Sequence, residues 1–127
     1  MIEEGRALFL QIAESVEESI VDGSLPEDTR APSTNELAAF YRINPATAAK
    51  GVNMLVDKGV LVKRRGIGMF VAPGAREQLR TERRTAFADR FIQPLLAEAR
   101  TLGLSPDDLA RLVRERAAAS DTLEGNA

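Results

Sequence analysis

Residues 33–71 read STNELAAFYRINPATAAKGVNMLVDKGVLVKRRGIGMFV, and their punctuation decides the fold. Ser33 stands three residues before Glu36, the spacing at which hydroxyl and carboxylate cap each other's backbone N–H groups. A short helix carrying Leu37, Ala38 and Phe40 follows. Only Tyr41, Arg42 and Ile43 separate it from Asn44-Pro45, an Asn N-cap with proline at the first helical position, where its missing N–H costs nothing. The helix that begins there runs through Ala48, Val52 and Leu55 to Gly59. Two short helices joined by so brief a turn form a helix-turn-helix. Residues 60–65 and 69–72 suit strands, and Gly66-Ile67-Gly68 supplies the backbone freedom of a tight hairpin. A helix-turn-helix followed directly by a hairpin is a winged helix.

Upstream, Leu8, Ile12, Val16 and Ile20 recur at four-residue spacing and predict a helix over 6–22, ended by Gly23. Downstream, Pro73-Gly74 marks a boundary, and 76–84 is polar with Leu79 as its lone large apolar residue. From Phe87 a stripe is clear: Phe87, Phe91 and Leu95 share one side, with Ile92 and Leu96 beside them. Pro94 removes a backbone bond there and predicts a kink. Ser105 to Asp108 caps a last helix carrying Leu109, Leu112 and Val113. Two such helices are too small to enclose a core, so their stripe must pack on the winged helix or on a second copy of the chain. The expected class is mostly α with a small β-hairpin. Residues 1–73 form the winged helix, 74–118 a helical dimerisation region and 119–127 a disordered tail.

The chain has 127 residues and contains neither cysteine nor histidine. Disulfides, thiolate metal sites, Ser-His and Cys-His catalysis and most zinc chemistry are thereby excluded. No cluster of acids supports a carboxylate enzyme, and no metal or cofactor is expected. No apolar run approaches the roughly 20 residues that span a bilayer, and the acidic opening MIEEGRALFL does not resemble an export signal. A cytoplasmic location is the expectation. The net charge of −2 conceals a segregation. Residues 1–29 carry −7, whereas 30–72 carry +5 from Arg30, Arg42, Lys50, Lys58, Lys63, Arg64 and Arg65 against Glu36 and Asp57. A basic middle in an acidic chain is the electrostatic footprint of a nucleic-acid partner.

On the helix after Asn44, the side opposite Ala48, Val52 and Leu55 carries Ala46, Ala49, Lys50 and Asn53. That face is thin and polar, which suits the major groove of double-stranded DNA. Lys50 can donate to guanine or to phosphate, Asn53 can meet adenine, and Thr47 suits a phosphate or a thymine methyl. Each also has a plain reading, as a helix former or a solvated charge. Ser33 is a cap first, and its helix N-terminus, with Thr34 and Asn35, offers N–H groups to an anion. Gly51 is better explained by close packing than by function. The wing, Arg64, Arg65, Gly66, Ile67 and Gly68, reaches toward a minor groove or the backbone. Three adjacent cations facing only water would repel one another without relief.

The run from Arg30 to Ala72 resembles the N-terminal winged helix of GntR-type bacterial transcription regulators. The resemblance rests on Pro32-Ser33, Leu37-Ala38, Thr47, Gly59 and the wing RGIGMFV, and it covers most of residues 6–72. It implies regulation of transcription, with Arg30, Thr47, Lys50, Arg65 and Gly66 at positions the family uses against DNA. The tail FIQPLLAEARTLGLSPDDLARLV is similar to the short YtrA-like subfamily, whose two C-terminal helices serve dimerisation. Many family members have arginine at the positions of Asn35 and Pro45, so those two contacts do not carry over.

The resulting expectation is a homodimeric, sequence-specific regulator, a repressor on an inverted-repeat operator. Its rival is a winged helix that uses its basic patch and hairpin edge on an acidic protein. An apolar cavity between dimer helices is the place the sequence offers for a small-molecule effector, of unknown identity.

Overall fold

A computed structural model describes residues 6–125. The elements are α1 (Leu8–Asp22), α2 (Thr34–Tyr41), α3 (Pro45–Asp57), β1 (Leu61–Arg64), β2 (Gly68–Val71), α4 (Ala75–Phe87), a π-helical turn (Ala88–Ile92), α5 (Gln93–Thr101) and α6 (Pro106–Gly125). The chain divides within α4 into two compact units, Met1–Arg83 and Arg84–Ala127.

The first unit is a mostly helical winged helix with one small antiparallel sheet. Ile12, Val16 and Ile20 of α1, Leu37 and Ala38 of α2, and Ala48, Val52 and Leu55 of α3 form its core with Leu61 and Val71 of the hairpin. Each large apolar side chain buried this way contributes roughly 1.5–3 kcal/mol. Gly51 lets α1 and α3 close: a Cβ there would lie 2.7 Å from the Phe9 carbonyl oxygen. The packing explanation of Gly51 therefore has its geometry. In the hairpin, Leu61 opposes Val71 and Arg64 opposes Gly68. One more hydrogen bond, Ala72 N–H to Val60 O at 2.9 Å, extends it by a residue. Residues 28–31 line the outer edge of β2, with Ala31 N–H donating to Met69 O and Val71 N–H to Thr29 O.

The expected boundary at Pro73-Gly74 falls too early. Ala75 and Leu79 of α4 belong to the buried core of the first unit. Two residues spaced by four are too few to read as a stripe in sequence, yet they suffice to dock one turn. Glu27 accepts from the N–H groups of Gly74 and Arg76, and the Arg76 guanidinium donates to Val21 O. Farther along α4, Arg83 pairs with Glu18, and Lys58 bridges Glu17 and Glu82 at 2.7 and 2.8 Å. Partial burial pulls the Lys58 ammonium down, but its hydrogen bonds to Glu17 and Glu82 outweigh that and raise its pKa.

In the second unit the helix widens into the π turn just before Pro94, where Gln93 N–H reaches back to Ala88 O. The wider turn relieves the proline ring's clash with the preceding carbonyls. Residues 119–125, expected to begin a disordered tail, are helical: α6 continues through Gly125. Ala117, Ala118 and Ala119 are strong helix formers, and composition alone had made them look unstructured. Residues 126–127 lie outside the described residues.

Candidate nucleic-acid interface

The capping chemistry aims two helix N-termini. Ser33 Oγ accepts from Glu36 N–H and Glu36 Oε1 accepts from Ser33 N–H, both at 3.0 Å. Hydrogen bonds to the carboxylate from the Ser33 backbone and then its side chain, with the Arg30 charge nearby, hold the Glu36 carboxyl below its ordinary pKa. Ser33 stands at this helix N-terminus next to Thr34 and the exposed Asn35. Asn44 spends its side-chain oxygen on Ala46 N–H at 2.8 Å, which starts α3 with Pro45 in its first turn.

Along α3 the two sides separate as the spacing requires. Ala48, Val52 and Leu55 are buried; Ala46, Lys50 and Asn53 are exposed, with Ala49 and Thr47 half-buried. Lys50 does not simply wave in solvent. Its Nζ lies 4.0 Å from the centroid of the Phe9 ring, a contact that parks the ammonium beside α1. Phe9 was missed as a supporting residue because it sits far from Lys50 in sequence.

The wing holds the main correction. Its three cations are not equivalent. Arg64 folds back over the Phe70 ring, 4.2 Å from its centroid, with Asp28 at 3.7 Å. It stiffens the hairpin, and its charge is relieved within the chain, so the sequence argument from unrelieved repulsion holds only for its neighbours. Lys63 and Arg65 are exposed and have no partner among the described residues. Gly66 and Gly68 take φ of +77° and +134°, which L side chains rarely adopt, and Ile67 stands 62% exposed between them. Arg30, adjacent in space through its bridge to Phe70, passes 3.3 Å from where a Cβ on Gly68 would be. The strand-like pairing of 28–31 thus gathers Arg30 with the wing, a proximity the sequence left unstated. Arg42, between α2 and α3, takes φ +56°, a strained conformation for a residue with a side chain. Nothing in the sequence marked it.

In the second unit, Phe87, Phe91, Leu95, Leu112 and Val113 are exposed, while Ile92, Leu96 and Leu109 are half-buried. Phe87 and Phe91 lean on each other at 5.5 Å, and the Arg90 guanidinium covers the Phe91 ring. Between α5 and α6 runs an apolar groove of about 350 Å³ lined by Ile92, Leu95, Leu96, Leu109 and Val113. Among the described residues no cluster of three acids could hold a metal, and no helix is long and apolar enough to cross a membrane.

Comparison with known proteins agrees with this geometry. Residues 8–71 match the family described as "Bacterial regulatory proteins, gntR family". The chain is 25% identical over 108 residues to the HTH-type transcriptional repressor YtrA of Bacillus subtilis, covering 85% of this chain and 82% of that one. Of longer curated relatives it spans about a quarter of the length. A GntR-family transcriptional regulator from Bacteroides thetaiotaomicron superposes with a TM-score of 0.72 at 29% identity, covering 90% of this chain and 99% of the other. The DNA-binding domain of AraR, solved in complex with operator ORX1, superposes with a TM-score of 0.51 at 26% identity, over 57% of this chain and 93% of that one.

Proposed function

We propose that this chain, a member of the gntR family of bacterial regulatory proteins, is a DNA-binding transcription regulator that represses as a homodimer on an inverted repeat. The observation that carries the DNA reading is that the same small unit exposes both the thin outer face of α3 and a glycine-rich wing whose Lys63 and Arg65 have no partner among the described residues. Ala46, Ala49, Lys50 and Asn53 face base edges. Thr47, Ser33, Thr34, Asn35 and the Asn44 amide approach phosphates. Arg30, Arg65, Gly66 and Gly68 follow the flanking backbone or minor groove, with Arg64 holding the wing's shape from behind.

The dimer reading is supported by the apolar faces of α5 and α6, which a chain keeps out of water by covering them. A two-fold dimer presents two α3 helices about one helical turn of DNA apart, or a multiple of it, hence an inverted repeat. Repression agrees with the name of YtrA, which the chain matches over 85% of its length. Such a regulator acts in the cytoplasm, where the chromosome is, and carries out no catalysis. The rival use of the hairpin as an edge for a protein partner loses ground because 28–31 already occupies the outer edge of β2. What remains is the edge of β1, guarded by Lys63 and Arg64.

The test is a selection. Purified protein is offered random-sequence duplexes at near-physiological salt, and the retained pool is sequenced. An enriched inverted repeat is expected. A pool with no preferred sequence would overturn specific readout, and the lack of any retained duplex would favour the protein-partner reading.

A further inference from the structure

Helix α1 carries Ser15 and Ser19 one turn apart, on either side of buried Val16. Hydroxyl side chains this small leave space where larger residues would fill it. Opposite them stand Phe40 and Tyr41, the last turn of α2. The result is a groove of about 490 Å³ in the first unit, lined by Val16, Leu25 and Leu37 as well as these four residues and Glu36. This volume lies within the range of small-molecule sites, which run roughly 300–1,000 Å³.

Its chemistry is selective. Ser15 Oγ and Tyr41 OH share a hydrogen bond of 2.5 Å, a polar point beside an apolar floor. Phe40 is 77% exposed, the most exposed large apolar side chain among the described residues, and its ring meets Tyr41 edge-on at 4.9 Å. The one ionised lining residue is Glu36. Its carboxylate is held by the N–H and the hydroxyl of Ser33, and it has no ion-pair partner among the described residues. No cation lines the groove, and the nearest to act on Glu36 is Arg30. Two aromatic rings and a carboxylate without an ion-pair partner suit a positively charged guest with an apolar body.

We propose that the groove between α1 and α2 is a binding site for a small amphipathic amine, its apolar body on Val16, Leu37 and Phe40 and its ammonium at Glu36. This places the site in the first unit rather than on the apolar faces of α5 and α6. The site stands without reference to DNA. Its consequence rests on the DNA reading above: Glu36 is half of the cap that starts α2, and Tyr41 ends α2 just before the turn into α3. A guest therefore bears on both ends of the helix whose N-terminus faces phosphate, and weakens operator binding.

The full chain is titrated with naphthylethylamine, naphthylethanol and naphthylpropanoate, which share one apolar body and differ in charge, while amide NMR signals are followed. The amine should shift Ser15, Ser19, Phe40 and Tyr41, and bind about tenfold more tightly than the carboxylate. Glu36→Gln, which keeps the capping geometry, should erase the amine's advantage and leave the alcohol unchanged. Ser19→Leu should abolish all three by filling the groove. Shifts confined to Leu95 and Leu109, equal binding of amine and carboxylate, or no shift with any probe would overturn the site. The amine should also weaken binding to the selected duplex about fivefold. A filled groove with unchanged duplex binding would overturn the regulatory consequence alone. If no duplex is bound at all, the DNA reading has failed, and the NMR result still decides the site.

Discussion

The two units of this chain treat apolar residues in opposite ways. In the winged helix, Ile12, Ile20, Val52 and Leu55 are sealed from water by three helices and a hairpin. Beyond Arg83, Ala99 is the sole fully buried apolar residue among those described, and Phe91 remains 51% exposed. The sequence periodicity is as clear in the second unit as in the first. What differs is closure: α1, α2, α3 and the hairpin supply one another's partners, whereas α5 and α6 keep Leu95, Leu112 and Val113 exposed among the described residues. On the proposed reading, the first region encloses its own core and the second is completed by another copy of the chain.

The sharpest way to break this comparison is a matched pair of truncations. Leu55→Ala should cost about 3 kcal/mol, because it opens a cavity in a sealed core. Leu112→Ala should cost the isolated chain no more than about 0.5 kcal/mol. Urea denaturation gives both numbers, and similar costs would mean that α6 is already buried in a core of its own. Next in size is Phe91→Asp. It should leave the winged helix folded by circular dichroism while weakening self-association about 30-fold in sedimentation. An undisturbed dimer would move the interface elsewhere.

Within the wing, the contrast between Arg65 and Arg64 sharpens the account further. Arg65→Ala should weaken binding to all duplexes alike and lower the salt slope by about one. Arg64→Ala should act first on the hairpin, costing about 0.5–1 kcal/mol through the lost ring contact. Equal salt slopes for the two variants would show that both arginines meet phosphate.

The smallest effect is shared by both units. Glu36 caps α2 and Asp108 caps α6, and hydrogen bonds from the Ser33 and Ser105 backbones hold both carboxyls below their ordinary pKa. A depressed folded-state pKa gives stability that is complete above the unfolded value and fades as pH falls through the folded one. Stability should therefore decline below about pH 4.5, and the Glu36→Gln, Asp108→Asn double variant should lose part of that acid limb.

What the sequence made legible was local chemistry. Caps at Ser33 and Asn44, the turn glycines at 66 and 68, and the two faces of α3 follow from neighbours within a few residues. Gly51 is legible too, since a glycine inside a helix costs about 1 kcal/mol and needs a close neighbour to justify it. The features left unread join distant segments. Arg64 stacks on Phe70 across the hairpin and reaches Asp28 in another loop; Lys50 rests on Phe9; Arg30 meets the wing through strand-like pairing at 28–31. Ala75 and Leu79 failed for another reason, because one turn of docking has no periodicity to detect.

The measurement closest to the central claim is the duplex selection repeated with Lys50→Met and Asn53→Ala, two changes on the outer face of α3 that leave its core side intact. Methionine keeps the packing against Phe9 and removes the charge. If this face reads bases, each variant should change the preferred base at one symmetry-related pair of positions and leave the repeat spacing as it was. An unaltered preferred sequence in both variants would contradict the claim, and α3 would then be a support rather than the reader.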